Sequence, residues 1–314
     1  MGMNSFLPMP INDLVFRELT KSGVSQDRVW NLTSSELWYV TEEQAQRYID
    51  LEHSAAYGLV QVETGLIEKH IDEIVKCLSD SRYNLVDLGC GDGQKAALFI
   101  GKLRQRVSVR YCPVDISDYM VSKALETMRT LSIDSVVECK DNVSDFGNLA
   151  NVMPAFRRNG YGTSLILLLG NTVGNFEGED ILAGIQDSML PQDYLLIGTE
   201  LCGQQRPEEI VARYKSNHVT ACSYNLLRTI GLDDSDTSFE VEFNEHRVQL
   251  YHILVHDKTV SHLGRQAEFR AGDRIDTVFS YKYREQELQG VLERRFNTVQ
   301  IFSNSSYALV LCKK

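Results

Sequence analysis

The stretch Asn84-Leu-Val-Asp-Leu-Gly-Cys-Gly-Asp-Gly-Gln-Lys95 passes from a short apolar strand through a turn with glycine at 89, 91 and 93 into a helix-forming segment that continues to Leu103. A strand, a glycine turn and a helix in direct succession confine the chain to an α/β sheet whose turn meets a ligand. Glycine lacks the Cβ that would hold a ligand off, and a helix N-terminus offers unpaired N–H groups. A dinucleotide fingerprint places its third glycine three residues after the second, whereas here Gln94 stands at that position. This argues against NAD. Asp87, two residues before the first glycine, and Asp115, which closes the next strand in Tyr111-Cys-Pro-Val-Asp115-Ile116-Ser, complete instead the order of an S-adenosylmethionine site. The two oxygens of Asp115 are suited to accept from both ribose hydroxyls. The alternative is a glycine turn that merely packs a helix on a strand.

Around this motif the pattern alternates regularly. Thr41-Glu-Glu-Gln44 reads as a capping box before an amphipathic helix to about residue 56, and Gly65 to Leu78 has helical apolar spacing. Strands are expected at 84–88, 107–115, 135–139, 164–169 and 193–199, with helices at 94–103, 117–130, 147–157 and 179–188 between them. Such alternation means a parallel sheet covered on both faces, and the wholly apolar Ser164–Leu169 is its expected centre. After Glu200 the rhythm changes. Helices at 207–216 and 219–230 precede a polar linker at 233–238, and then Phe239–Val260 reads as strands with a turn near Asp257-Lys258. Helix 284–295 and an antiparallel hairpin, 297–303 with 306–312, finish the sheet.

The expected fold is therefore α/β, a Rossmann-like class I methyltransferase sheet with an antiparallel C-terminal hairpin and an inserted α+β substrate lid. Its divisions are residues 1–62 contributing to the lid, 63–200 binding the cofactor, 201–283 binding substrate, and 284–314 completing the sheet.

A net charge of −11 argues against a nucleic-acid partner, because phosphate tracking needs a basic stripe. The Asn/Asp-Pro-Pro-aromatic tetrapeptide of enzymes that methylate base amines is absent. The seven cysteines include no C-x-x-C pair and read as small core residues of a cytoplasmic protein. No apolar run is long enough to span a bilayer. Histidines at 246, 252, 256 and 262 invite a metal reading, with His252 and His256 on one strand face. Methyl transfer needs no metal, and a hydrogen-bonded strand face is the commoner explanation.

A second motif, Leu169-Gly170-Asn-Thr-Val-Gly-Asn175-Phe176, follows the central strand at the edge where α/β sheets place their chemistry. It resembles the L-G-S-T-I-G-N-F loop of the histidine-specific methyltransferase family. Other strings agree, among them Gly89-x-Gly91-x-x-x-Lys95, Asp145-Phe146, Gly198-Thr-Glu200-Leu, Phe243-x-Glu245-His-Arg247 and Ala271-Gly-Asp-x-Ile-x-Thr-x-x-Ser280-x-Lys-Tyr283. The resemblance runs from about residue 57 to the C-terminus. It implies cofactor contact by Gly89 and Lys95, ribose contact by Asp115, and adenine contact by Asp145 and Phe146; Gly91 and Gly93 of the glycine turn, and Ile116 beside Asp115, are expected at the same cofactor. It also implies that Asn175 and Tyr214 hold a substrate carboxylate. An amide and a phenol donate to a carboxylate without placing a full positive charge beside a sulfonium. Main-chain carbonyls of the Gly170–Gly174 loop would orient the amine. The plainer alternatives are that Asn175 satisfies its own turn and that Tyr214 is a half-buried helix residue.

One position departs from the family. Its T-E-x-S string, whose Glu and Ser bind imidazole nitrogens, here reads Thr277-Val278-Phe279-Ser280. Valine cannot accept from a ring N–H, and a buried imidazole lacking that partner forfeits about 1–3 kcal/mol. Histidine is accordingly expected to be a poor acceptor, and a more apolar amino acid or derived amine a better one. The family's Tyr-Tyr-Pro-Thr-Arg-Thr-Glu string survives only as Tyr57-Gly-Leu-Val-Gln-Val-Glu63, which keeps Tyr57 as a candidate substrate contact beside a packing role. The expected activity is S-adenosylmethionine-dependent N-methylation of a small amino-acid-like metabolite. The alternatives are a histidine Nα-methyltransferase, a methyltransferase of another small molecule, or a non-catalytic cofactor-binding protein.

Overall fold

Thr41 caps a helix as its sequence implies: its hydroxyl accepts from the Gln44 N–H at 3.2 Å while the Gln44 side chain accepts from the Thr41 N–H at 3.1 Å. The computed structural model in which this is seen describes residues 10–54, 58–133, 135–137, 142–176, 178–203, 206–244 and 246–314. The elements in chain order are α1 (Ile11–Ser22), β1 (Val29–Asn31), α2 (Glu42–His53), α3 (Leu59–Cys77), β2 (Arg82–Leu88), α4 (Gln94–Leu103), β3 (Ser108–Val114), α5 (Asp118–Thr130) and α6 (Leu149–Phe156). They continue with β4 (Thr163–Leu168), α7 (Gly178–Ser188), β5 (Tyr194–Glu200), α8 (Pro207–Tyr214), α9 (Asn217–Arg228), β6 (Thr237–Asn244) and β7 (Arg247–Leu254). The last are β8 (Lys258–His262), β9 (Arg265–Phe269), β10 (Arg274–Tyr281), α10 (Glu285–Glu293), β11 (Thr298–Ser303) and β12 (Tyr307–Lys313).

The main sheet has the order β3-β2-β4-β5-β12-β11. Its first four strands are parallel, and β12 enters antiparallel between β5 and β11. This is a Rossmann-like class I methyltransferase sheet with its terminal hairpin. Strand β4 is buried along its whole length, and its residues divide by the period of two. Leu165 and Leu167 pack among α3, α4 and α5, whereas Ile166 and Leu168 pack among α6, α7 and α10. Burial of each such side chain contributes about 1.5–3 kcal/mol, so the apolar strand anchors both layers. The strand order reverses between β2 and β4, and that switch point is where such sheets bind ligands.

Three expectations need correction. The helix expected from Gly65 begins at Leu59, because Leu59 and Val62 extend the apolar stripe and Gly65 sits harmlessly on the exposed face. In place of a strand at 135–139, the described residues there make an isolated bridge, Val136 with Tyr111, and residues 138–141 lie outside the description. Beyond Phe239–Val260, β9 and β10 are further strands, and β10 pairs with β7 across a bulge between Asp276 and Val278.

A second sheet has the order β1-β10-β7-β6. The N-terminal β1 lies parallel to β10, with Val29 opposite Arg274 and Asn31 opposite Asp276. Asp273 fastens it, accepting from Arg28 Nε at 2.7 Å and from Trp30 Nε1 at 3.0 Å. The histidines of this region do not converge. His252 is buried on β7 between Ser223 Oγ at 2.8 Å and Thr237 Oγ1 at 3.1 Å, and burial pushes its imidazole down to about 4. His256 follows the end of β7 and faces Asp236 at 2.8 Å, so the two do not share a strand face. Among the described residues no helix is long and apolar enough to cross a membrane.

Candidate active site

At the switch point, the glycine turn after β2 and the Gly170 loop after β4 stand side by side above the sheet. Gly93 closes the turn with a φ of +76° at the start of α4, and a Cβ there would come within 3.1 Å of the Ala124 Cα. The third glycine thus lets α4 and α5 approach. A cavity of about 420 Å³ opens over this turn. It is lined by Gly89, Gly91, Lys95, Asp115, Ile116, Asp145 and Phe146, as expected, and also by Tyr39, Glu52 and Thr172.

Asp115 stands at the end of β3, where one oxygen accepts from the Ser117 N–H at 2.9 Å. Burial raises its carboxyl to about 6, against the backbone hydrogen bonds that lower it. The Ser144 N–H donates to the Asp115 carbonyl at 2.8 Å, which carries Asp145 and Phe146 to the same end of the cavity. Phe146 meets Phe176 with ring centroids 5.6 Å apart, forming an apolar wall suited to a flat base. Lys95, on α4, lies 3.3 Å from Glu52 and 3.2 Å from Glu63. Burial alone would lower its ammonium, but the two carboxylates outweigh burial and hold it above the ordinary lysine range. Glu63 in turn accepts from the Gly170 N–H at 2.9 Å and from the Tyr307 hydroxyl at 2.7 Å, so α3, the sheet and the loop share one buried network.

Two expected contacts lie behind the wall. Asp87 does not line the cavity; its carboxylate accepts from the Tyr111 hydroxyl at 2.8 Å, and burial raises it to about 7. Its side chain points along the sheet toward the neighbouring strand. Gly93 likewise supports the turn without reaching the cavity.

A second, smaller cavity of about 60 Å³ abuts the first and shares Ser35, Tyr39, Tyr48, Gly170 and Asn175 with it. Tyr214, Val278 and Ser280 line it together with Trp38, Leu250 and Asn171. Asn175 and Gly170 thus occupy the seam between the two spaces. Gly174 is required by close approach, since a Cβ there would lie 2.8 Å from the Tyr281 carbonyl. Tyr57 lies outside the described residues. Several wall residues carry no signal in linear sequence: Tyr39, Tyr48 and Glu52 come from the N-terminal segment, and Asn171 sits inside a matched string. The paired asparagines of Gly170-Asn-Thr-Val-Gly-Asn175 were the available hint for Asn171.

A parallel sheet ending in an antiparallel hairpin, a glycine turn at the switch point and an acid closing the adjacent strand define a class I methyltransferase. The chain belongs to the family described as histidine-specific methyltransferase, SAM-dependent, whose model matches residues 19–314. It is an enzyme that uses S-adenosylmethionine. A histidine N-alpha-methyltransferase of Mycolicibacterium smegmatis is 21% identical over 272 residues, 80% of each chain. One of Mycobacterium tuberculosis is 23% identical over 265 residues, 79% of each. A solved S-adenosylmethionine-dependent methyltransferase from Clostridium acetobutylicum covers 96% of each chain at 13% identity and a TM-score of 0.38.

The state of Asp115 makes a prediction about pH. An ionised carboxylate accepts through both oxygens, whereas protonation turns one of them into a donor, so with Asp115 in the expected ribose contact cofactor affinity should be level above about pH 6. Below that, affinity should fall by up to about tenfold per pH unit. Calorimetric titration between pH 5 and 8 checks this, and Asp115→Asn should abolish the slope.

Proposed function

We propose that this enzyme methylates the amine of a free amino acid, with the cofactor in the larger cavity and the acceptor in the smaller. The observation that carries this reading is the pair of abutting cavities with Gly170 and Asn175 at their seam. The larger space is of the size ordinary for a small-molecule site. Its wall includes the acids Glu36, Glu52, Asp92, Asp115 and Asp145 against Lys95, a balance that suits a cationic cofactor and repels a diphosphate. When bound, the cofactor supplies a methyl group on a sulfonium, already a good leaving group.

The chain's own contribution is placement and exclusion of water. Asn175 and Tyr214 donate to the acceptor carboxylate, and the Gly170 carbonyl faces the amine. The rings of Trp38, Tyr39 and Tyr48 wall off the acceptor. Burial, reinforced by Glu52, keeps the Tyr39 phenol protonated, so it is no base, and the amine gives its proton to water before it settles. Asp115 accepts from the ribose, and Phe146 and Asp145 border the adenine.

The exclusion of histidine expected from Val278 finds no support in the relatives, two of which are named for histidine. Histidine is therefore the first acceptor to test. Val278 and Leu250 in the acceptor wall favour a second reading, a more apolar amino acid. Competition among free amino acids for methyl-labelled cofactor, read by product mass spectrometry, decides between them. Val278→Glu is expected to raise histidine turnover, because a carboxylate would supply a ring N–H acceptor beside Ser280. A gain of tenfold or more over the parent supports this placement of the side-chain pocket, and an unchanged rate counts against it.

A further inference from the structure

Lys282 is wholly buried; its ammonium donates to the Tyr214 hydroxyl at 2.7 Å and to Ser280 Oγ at 2.8 Å and forms an ion pair with Glu200 Oε2 at 2.8 Å. Glu200 is itself buried and also pairs with Arg213 at 2.5 Å. Burial would lower the lysine, but Glu200 holds it charged. The directions of the neighbouring hydrogen bonds are then fixed. The Glu200 N–H can only donate, and it meets Asn171 Oδ1 at 2.9 Å. Asn171 Nδ2 therefore faces Ser280 Oγ, at 3.0 Å, as a second donor. Ser280 accepts from both an ammonium and an amide, which occupies its two lone pairs. The Tyr214 oxygen faces the same ammonium, which can only donate. Neither hydroxyl proton has an acceptor among the described residues, and both side chains line the acceptor cavity.

We infer that Lys282 is a positioning residue that turns Tyr214 and Ser280 into obligate donors, so that the acceptor cavity selects a molecule bearing two separate lone-pair groups, a carboxylate and a second acceptor in its side chain. The inference rests on the amino-acid reading above. It adds a polarity: a side chain presenting an unprotonated ring nitrogen or an oxygen to Ser280 is favoured over a purely aliphatic one, and a group that can only donate is rejected.

The test measures binding of histidine, tyrosine and leucine, and of their decarboxylated counterparts histamine, tyramine and isoamylamine, to the full chain saturated with S-adenosylhomocysteine. The parent should bind the best of the amino acids at least about 100-fold more tightly than its amine, and histidine or tyrosine more tightly than leucine. Lys282→Met should lower the first ratio at least tenfold, and on a Tyr214→Phe background it should lower it little further. A merely structural role would weaken acid and amine alike and leave the ratio intact. Because Lys282→Met leaves Glu200 buried without its partner, Glu200→Gln with Lys282→Met provides a neutral pair carrying the same expectation. A parent that does not distinguish acid from amine overturns the amino-acid reading and the inference with it. A parent that does distinguish them, with the ratio unchanged in both variants, overturns the role of Lys282 alone.

Discussion

Asp115→Ala is expected to weaken S-adenosylmethionine binding at least tenfold while the protein stays folded. On the proposed reading the loss removes an acceptor for two ribose hydroxyls, and hydrogen bonds to a charged group are each worth about 1.5–3 kcal/mol, so tenfold is the lower bound. Asp115 lies at the end of β3, where its side chain accepts from backbone N–H groups of the turns, that of Ser117 at 2.9 Å among them, and belongs to no apolar cluster of the core. Calorimetric titration gives the affinity and circular dichroism the fold. Unchanged affinity in the folded variant would remove Asp115 from the cofactor site.

The acceptor side gives the second large effect. Asn175→Ala and Tyr214→Phe are each expected to reduce kcat/KM by about 10- to 100-fold without changing cofactor affinity, because each deletes a donor used by the acceptor's carboxylate. Asn175 sits at the seam and could touch both ligands, so the unchanged cofactor affinity is the discriminating part of its result. If both variants turn over the acceptor at the parent rate, the carboxylate lies elsewhere or is absent.

Much of the lining of the larger cavity is legible in sequence because it follows from the order of neighbouring strands. Gly89, Gly91 and Asp115 fall at the carboxyl ends of β2 and β3, whose order a parallel α/β sheet fixes, and Asp145-Phe146 follow the isolated bridge of Val143 with Asp115. Asp87 shows where locality fails. It lies in the motif, but its carboxylate turns to Tyr111 on the next strand, a direction that neighbouring residues in the chain do not determine. The acceptor half depends on contacts between distant segments. Tyr214, Glu200 and Lys282 meet only because β10 crosses beside the Gly170 loop, and in the larger cavity Glu52 and Lys95 are likewise brought together by the packing of α2 over the turn. A lysine in a strand reads as a solvated face until tertiary structure buries it. The parallel pairing of β1 with β10 is equally invisible, since three residues, Val-Trp-Asn, carry too short a pattern to mark a strand.

On the proposed reading, two adjoining cavities bring a cofactor methyl to the amine of an amino acid across Gly170 and Asn175. The most direct measurement is incubation of the purified chain with methyl-labelled S-adenosylmethionine and an equimolar mixture of free amino acids and their decarboxylated amines, followed by mass spectrometry of the products. Label on the α-nitrogen of one or a few amino acids, with their amines unlabelled, is the predicted result. Label confined to the decarboxylated amines, or absent from every amino acid while S-adenosylmethionine binds normally, would contradict it.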